Sequence, residues 1–316
     1  MTGPGGPPPR RILVTGATGF IGRQTLVPLQ RAGYEVHATC RTPAHAVPGD
    51  GVTWHAADLL HAASAERLLD GVRPHTLLHL AWGMEHSRVW HGLENLDWLA
   101  ASVQLVRHFV AAGGQRIVGV GSCAEYDWTG AAAQRPLRED DPIRPASRYG
   151  GAKAAACATL ALLAPACGLS WAWGRLFHLY GPHEDRRRLV PHVITTLLAG
   201  GTARCTAGTQ MRDFMAAGEA GRALAALAAS AVQGPVNIAS GQAIRIAELV
   251  GRVAQDCGGG RVELGAVPMR PGEADTILAD ITRLVREVGF TPAASPAAGL
   301  AETVAWWRQV SQRMQH

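Results

Sequence analysis

The residues best suited to chemistry are Lys153 and Tyr149, four positions apart at the start of a predicted helix. Of the 30 basic residues, 29 are arginine, and Lys153 is the single lysine. A site that keeps a lysine against this bias requires a compact ammonium with an adjustable pKa rather than a planar guanidinium. A spacing of four places both side chains on one helical face, where the ammonium lowers the pKa of the phenol. Such a phenol can protonate an alkoxide as hydride reaches a carbonyl carbon.

Two further polar residues are candidates for the same chemistry. Ser122 ends the strand predicted over 117–121, at the carboxyl edge where α/β sheets bind ligands, and its hydroxyl can polarise a carbonyl. Asn95 begins the helix predicted over 95–110. Two roles stay open for Asn95, which are organisation of a proton relay and N-capping of that helix.

A glycine-rich turn directly follows the first predicted strand, 12–15. Three glycines let the chain turn tightly and approach a pyrophosphate, and the following helix begins with backbone N–H groups that bind the anion. The order of strand, turn, helix and strand predicts a dinucleotide site. Its residues are Gly16, Thr18, Gly19, Phe20, Ile21 and Gly22.

The residues after the second and third predicted strands bear on which dinucleotide is bound. The second strand ends at Arg41, and the next acidic residue along the chain is Asp50. An acidic residue there would bind the ribose of NAD, whereas an arginine pairs with the 2′-phosphate of NADP. NADP(H) is therefore favoured and NAD(H) is the alternative, unless Arg41 is merely solvated. Asp58 suits a contact to the adenine amino group or is an ordinary loop residue.

The elements that position these residues alternate along the first half of the chain. Strands predicted over 12–15, 35–40, 52–55, 76–81, 116–121 and 170–175 are separated by amphipathic stretches. This rhythm predicts an α/β, Rossmann-like, doubly wound parallel sheet with a smaller C-terminal substrate-binding lobe. We expect a disordered leader over 1–10 and a dinucleotide-binding domain over 11–175. The lobe is expected over 176–316, with segments near 209–240 returning to the first domain.

Composition and residue spacing exclude several other classes of protein. The chain is 47% hydrophobic and 17% charged, a composition that excludes intrinsic disorder for most of it. Its net charge is +5, but the arginines are scattered along the sequence, so no nucleic-acid-binding surface is predicted. The six cysteines lack CxxC spacing and indicate reduced packing residues of a cytoplasmic protein. The uncharged stretch 154–174 is broken by Pro165 and Gly168, which predicts a buried helix and strand rather than a membrane span. His75 and His79 have HxxxH spacing on a strand, so no metal site is expected.

Nine segments, in this order, resemble the extended short-chain dehydrogenase/reductase family, in its nucleotide-sugar epimerase, dehydratase and ketoreductase branch. They are residues 15–22, 58–59, 78–81, 121–126, 149–153, 175–182, 212–214, 236–241 and 270–272. The resemblance implies the roles given above for Tyr149, Lys153 and Ser122, and it adds Leu59, Leu80 and Ala81 to the cofactor contacts. It also implies that Arg212 and Arg270 hold a nucleotide diphosphate. Family members often dimerise through two helices, which would be 95–112 and 147–164 here.

Departures from the family pattern narrow the chemistry. Similar 4,6-dehydratases carry an Asp-Glu pair after the catalytic hydroxyl, whereas this chain has Cys123 and Ala124, so dehydration is disfavoured and both residues are interpreted as pocket wall. His178 stands where the family usually has asparagine. Trp82 either lines a sugar pocket or packs in the core. Residues 183–188 are either a solvated loop or a lid in which arginines such as Arg188 meet the diphosphate.

The leading hypothesis is an NADPH-dependent ketoreductase that reduces the 4-keto group of a nucleotide-activated 4-keto-6-deoxyhexose. NADP preference favours it, because an epimerase or dehydratase recycles a tightly held NAD. The alternative is an NAD-dependent nucleotide-sugar epimerase on the same scaffold. Less favoured are a reductase of a non-sugar ketone and an NADP-sensing regulator, which would not need a tuned phenol. A homodimer is expected.

Overall fold

The computed structural model describes residues 10–42, 51–83, 88–129, 135–269, 272–293 and 295–313. The described residues form two compact units. Unit 1 takes those within Met1–Glu125, Pro145–Arg175 and Gly221–Val236, and unit 2 takes those within Tyr126–Arg144, Leu176–Ala220 and Asn237–His316.

The strands and helices follow in chain order. The strands are β1 (Arg10–Thr15), β2 (Tyr34–Cys40), β3 (Thr53–Ala56), β4 (Thr76–His79), β5 (Arg116–Ser122), β6 (Ser170–Leu176), β7 (His178–Tyr180), β8 (Thr202–Arg204), β9 (Met211–Ala216), β10 (Gly234–Ile238), β11 (Ala243–Arg245), β12 (Arg261–Glu263) and β13 (Thr276–Ile277). The helices are α1 (Gly22–Arg31), α2 (Ala62–Val72), α3 (Glu94–Ala111), α4 (Arg148–Ala166), α5 (Leu189–Leu198), α6 (Ala217–Ala229), α7 (Ile246–Asp256), α8 (Thr282–Arg286) and α9 (Ala297–Arg313).

Unit 1 is built on a sheet with the strand order β10-β6-β5-β4-β1-β2-β3. Strand β1 pairs in parallel with β2 and β4, and β2–β3 and β4–β5 are also parallel. The order runs outward from β1 in both directions, which is the doubly wound arrangement. The predicted α/β, Rossmann-like fold class is therefore confirmed. Strand β4 and the last four residues of β1 are buried, as expected for a sheet covered on both faces.

Helix α4 and strand β6 account for the long uncharged stretch. The helix ends at Ala166, Gly168 turns the chain with φ of +65°, and β6 begins at Ser170. Helix α4 packs against α3, and buried apolar residues of both helices and of the central strands form one core cluster. No helix in the described parts of the chain is long and apolar enough to cross a membrane. The proposed dimer through α3 and α4 stays a prediction.

Unit 2 has its own small sheets and core. Strand β9 lies between β11 and β13 and also pairs with β7, while β8 pairs with β12. Helices α5, α7 and α9 pack together, and their apolar faces form a buried cluster with Tyr180 and Phe214. These strands have two to six residues, too short for a sequence period to reveal most of them.

The chain passes between the two units more often than the sequence predicts. The returning segment is Gly221–Val236, and Arg116 secures it by donating to the carbonyls of Leu227, Ala228 and Val232. The expected 11–175 domain is interrupted, because Tyr126–Arg144 belongs to unit 2. Within unit 2 the Tyr126 hydroxyl donates to Oδ1 of Asn237 at 2.7 Å.

Candidate active site

The glycine turn forms a close-packed cradle between β1 and α1. A Cβ atom on Gly22 would lie 2.1 Å from the carbonyl oxygen of Gly16, and one on Gly16, whose φ is +68°, would lie 2.7 Å from the Ala81 nitrogen. Helix α1 begins at Gly22 with no side-chain cap and no acidic residue in its first turn. Its first backbone N–H groups therefore suit an anion, and the turn fits a dinucleotide pyrophosphate. Thr18, Gly19, Phe20 and Ile21 complete this turn.

The other predicted cofactor residues lie at neighbouring strand ends. Arg41 directly follows β2 and is exposed. The Asp58 carboxylate accepts from the Leu60 N–H and contacts His61 Nδ1 at 3.0 Å, so part of its bonding capacity serves its own turn. Leu59 and Ala81 are buried. Leu80 donates its N–H to the Thr15 carbonyl, which continues the β1–β4 pairing.

Tyr149 and Lys153 lie in the first two turns of α4, and both are buried. Ser147 caps the helix by accepting from the Gly150 N–H. The Lys153 ammonium donates to the Val120 carbonyl at 2.8 Å and lies 3.9 Å from the centre of the Trp82 ring. Burial lowers the pKa of Lys153 to about 7, and the charge of Glu125 opposes that shift.

Ser122 is positioned by a short 3-10 turn, Cys123–Glu125, that follows β5. Its Oγ accepts from the Ala124 N–H, and its own N–H donates to Oε1 of Glu125 at 2.8 Å. A Cβ on Gly150 would lie only 2.2 Å from the Ala124 carbonyl oxygen. The missing side chain thus lets the turn pack on the first turn of α4, beside Tyr149.

Sequence reasoning missed Glu125, which is 0% exposed. Its carboxylate accepts from Nε1 of Trp173 at 3.0 Å and from Nε of Arg175 at 2.9 Å. Because Glu125 is the last residue of the 3-10 turn and Arg175 lies on β6, this buried ion pair joins the turn to β6. The available signal was an acidic residue next to an apolar strand, together with an arginine at the end of another apolar strand.

Asn95 is the second residue of α3 and not its N-cap, which is Leu93, so the capping hypothesis was wrong. Oδ1 of Asn95 accepts from Nε1 of Trp82 at 2.9 Å, and Nδ2 donates to the carbonyls of Val89 and Gly92. Trp82 is buried and lies edge-on to the Tyr149 ring. The structure thus places Trp82 among the residues around the reactive pair, with Asn95 behind it.

The substrate residues predicted after residue 175 lie in unit 2. Burial and the charges of Arg212 and Arg188 lower the pKa of His178 to about 3, so His178 is neutral near two guanidinium groups. Its Nδ1 is buried and has no hydrogen-bond partner among the described residues. The Arg212 guanidinium donates to Oε1 of Glu273 at 3.0 Å and to backbone carbonyls. Arg270 lies outside the described residues.

The loop at 183–188 contacts α9, and of its residues only Glu184 is buried, so the solvated-loop interpretation was wrong at Glu184. The His183 ring lies 4.5 Å from the ring of Trp306, and Arg186 lies over Trp307 at 5.4 Å. Glu184 is buried, and burial raises its pKa to about 8.

Comparison with known proteins shows which family the chain belongs to. Residues 12–239 match the model of the NAD dependent epimerase/dehydratase family. Among curated relatives, the chain is 30% identical to dTDP-6-deoxy-L-talose 4-dehydrogenase (NAD(P)(+)) of Kitasatospora kifunensis, covering 90% of this chain and 91% of that protein. It is 28% identical to dTDP-glucose 4,6-dehydratase of Streptomyces griseus, covering 94% of both chains.

A similar solved structure is that of MoeE5 in complex with UDP-glucuronic acid and NAD. It superposes with a TM-score of 0.80 at 29% identity and covers 95% of this chain and 99% of that one. The family match and the nucleotide-sugar enzymes among the relatives make this chain an NAD(P)-dependent enzyme. The chain belongs to the NAD dependent epimerase/dehydratase family, within the extended short-chain dehydrogenase/reductase branch.

Proposed function

We propose that this enzyme modifies a nucleotide sugar by reducing the 4-keto group of a nucleotide-activated 4-keto-6-deoxyhexose. When bound, NADPH supplies the hydride. Tyr149 donates its phenolic proton to the oxygen as the C–H bond forms and the carbonyl electron pair moves to oxygen. Ser122 donates a hydrogen bond to that oxygen, and Lys153 stabilises the phenolate that remains.

The observation that carries this proposal is the composition of the turn after β5. Elimination of water requires a general acid and a general base next to the catalytic hydroxyl. Cys123 and Ala124 occupy these positions, and both are buried. The following acid, Glu125, is fully buried and bonded to the Ser122 N–H, Trp173 and Arg175. Because its carboxylate is already bonded to these groups, Glu125 is not available as an acid or base toward a substrate. This supports reduction over dehydration.

Two arginines whose charges act on His178 in unit 2 support an anionic substrate. His178, Arg188 and Arg212 lie close enough for both arginine charges to act on the imidazole. Phosphate oxygens are favourable partners for guanidinium groups and for an imidazole N–H. We assign the substrate diphosphate to these three residues, with Arg270 as a fourth.

The direct test is oxidation of NADPH by purified enzyme with a panel of keto-sugar nucleotides. We expect stoichiometric conversion of a dTDP- or UDP-linked 4-keto-6-deoxyhexose to the 6-deoxyhexose, and no dehydration of the corresponding glucose nucleotide. Tightly retained NAD, together with sugar interconversion and no net NADPH consumption, would show the epimerase instead.

Replacing Arg41 with alanine tests the cofactor preference. Arg41 is exposed directly after β2, where it can pair with a 2′-phosphate. We expect Arg41→Ala to raise KM for NADPH by about tenfold or more, and to change KM for NADH by less than about twofold, since NADH lacks that phosphate. Steady-state kinetics with both cofactors measures this. Arg31→Ala, at the exposed end of α1, is the matched control.

Exchange of Lys153 for arginine tests the role of the ammonium through pH. With a pKa near 7, Lys153 is cationic below that pH and neutral above it, so kcat/KM should fall as pH rises through about 7. Arginine stays cationic, so Lys153→Arg should remove this alkaline limb. Its kcat/KM should nevertheless be about tenfold lower or worse at pH 6, because the planar group does not fit the compact site. An alkaline limb retained in Lys153→Arg would contradict the assignment.

A further inference from the structure

We propose that Trp82, held in place by Asn95, is a positioning residue that fixes the Lys153 ammonium and the Tyr149 ring as a reactive pair. This inference deepens the proposed function and rests on it for the catalytic part. It follows from contacts of the Trp82 side chain with those of Lys153, Tyr149, Asn95 and Trp98, all within unit 1.

The first contact is between the indole face and the ammonium. The Lys153 nitrogen lies 3.9 Å from the centre of the Trp82 ring, well inside the range of a cation–π interaction. Its hydrogen bond to the Val120 carbonyl approaches from the strand. The indole face and one carbonyl thus replace part of the water shell of the ammonium, in a residue that is only 4% exposed.

The second contact is between aromatic rings. Trp82 lies edge-on to Tyr149 at 6.5 Å and 81°, and Trp90 lies edge-on to it at 5.7 Å and 83°. Both geometries are favourable for aromatic pairs. The Tyr149 ring is therefore oriented by two tryptophans, and the Tyr149 N–H donates to the Trp90 carbonyl at 3.3 Å.

The third contact explains what holds the tryptophans. Asn95 accepts from the indole N–H of Trp82, and its amide donates to the carbonyls of Val89 and Gly92 on either side of Trp90. One buried amide thus anchors both rings that flank Tyr149. The Trp82 ring also stacks on that of Trp98 in α3, with 6.4 Å between the ring centres.

Other charges also act on Lys153 and must be counted. His79 on β4 and Glu125 on the turn after β5 both interact with it electrostatically. His79 is neutral, since burial lowers its pKa to about 3, and Glu125 is paired with Arg175. Tyr149 is a further titratable group near Lys153, since both residues lie on α4. None of these groups is changed when the electron density of the Trp82 ring is changed, so the ring's contribution can be isolated.

The experiment uses the single lysine of the chain. Lysine labelled with ¹³C at Cε gives one side-chain signal, and its chemical shift against pH reports the pKa of Lys153 without any substrate. Fluorinated tryptophans at position 82 keep the ring shape and the N–H that donates to Asn95. They reduce the negative potential of the ring face that attracts the ammonium. We expect the pKa to fall stepwise with fluorine number, by about one unit for a heavily fluorinated ring. The same analogues at Trp171, a partly buried residue packed on the same core, are the control and should leave it unchanged.

A pKa that stays within about 0.2 units across the series would overturn the proposal, because the buried cation–π contact should be worth far more. A second variant, Asn95→Ala, should lower kcat by about tenfold or more, with the NADPH Kd within about threefold and the Lys153 titration displaced. An unchanged kcat and titration there would also overturn it. If the pKa responds to fluorination but no keto-sugar nucleotide is reduced, the proposed function alone fails.

Discussion

Tyr149→Phe is expected to lower kcat by about 10²- to 10⁴-fold, because it removes the proton donor from the reduction step. Phenylalanine keeps the ring between Trp82 and Trp90, so the surroundings of the lost hydroxyl stay in place. NADPH should therefore still bind, with a Kd within about threefold of the unmodified enzyme. Single-turnover kinetics and a fluorescence titration of NADPH measure the two quantities separately.

Tyr34→Phe is the matched control for that loss. Tyr34 is also buried in unit 1, and its hydroxyl donates to the Ala228 carbonyl at 3.1 Å. Losing this bond should cost about 1 kcal/mol of stability and leave turnover unchanged. A Tyr149→Phe enzyme with more than about a tenth of normal kcat would contradict the assignment of Tyr149 as proton donor.

The sequence was most informative where chemistry and periodicity coincide. Buried parallel strands are apolar throughout, so β1, β4, β5 and β6 were predicted close to their observed bounds. Helices α7 and α9 have apolar residues that recur with helical spacing, a pattern that predicts a helix over 246–256 and another over 297–313, as observed. Tyr149 and Lys153 share one face of α4 because residues four apart in a helix lie about one turn from each other.

The features that the sequence did not predict depend on contacts between residues distant in the chain, and no local sequence pattern encodes such contacts. Asn95 resembled an N-cap because caps are local, but its partners are Trp82 and the turn before α3. Trp82 had two open roles, and neither included its contact with Lys153, a residue far along the chain. The docking of His183 on Trp306 spans more than 120 residues. Strands β7, β8, β11, β12 and β13 are too short to show a period.

Glu125→Gln is expected to lower the free energy of unfolding by about 3–5 kcal/mol, because it leaves the Arg175 guanidinium buried beside a neutral amide. The pair is 0% and 4% exposed, with 2.9 Å between Oε2 and Nε, so little water can compensate for the lost charge. The Trp173 N–H bond and the bond to the Ser122 N–H both involve the same carboxylate. Glutamine has one acceptor oxygen where the carboxylate has two, so it cannot accept from the Arg175 guanidinium and from the Ser122 N–H together. The variant should therefore also lose turnover, since the bond that holds Ser122 competes with the bond to Arg175. Urea unfolding followed by tryptophan fluorescence, together with kcat, measures both effects.

The exposed pair Arg11–Glu35 provides the control for Glu125→Gln. Its nitrogen and oxygen lie 3.3 Å apart, but the side chains are 48% and 39% exposed, so Glu35→Gln should cost less than about 1 kcal/mol. The double variant Glu125→Leu with Arg175→Met removes both charges and should recover much of the stability lost by Glu125→Gln, without recovering turnover. That separation would show that the carboxylate supports the core through Arg175 and the reaction through Ser122. Equal stability of the Glu125→Gln and Glu35→Gln proteins would contradict the first role, and full turnover in the double variant would contradict the second.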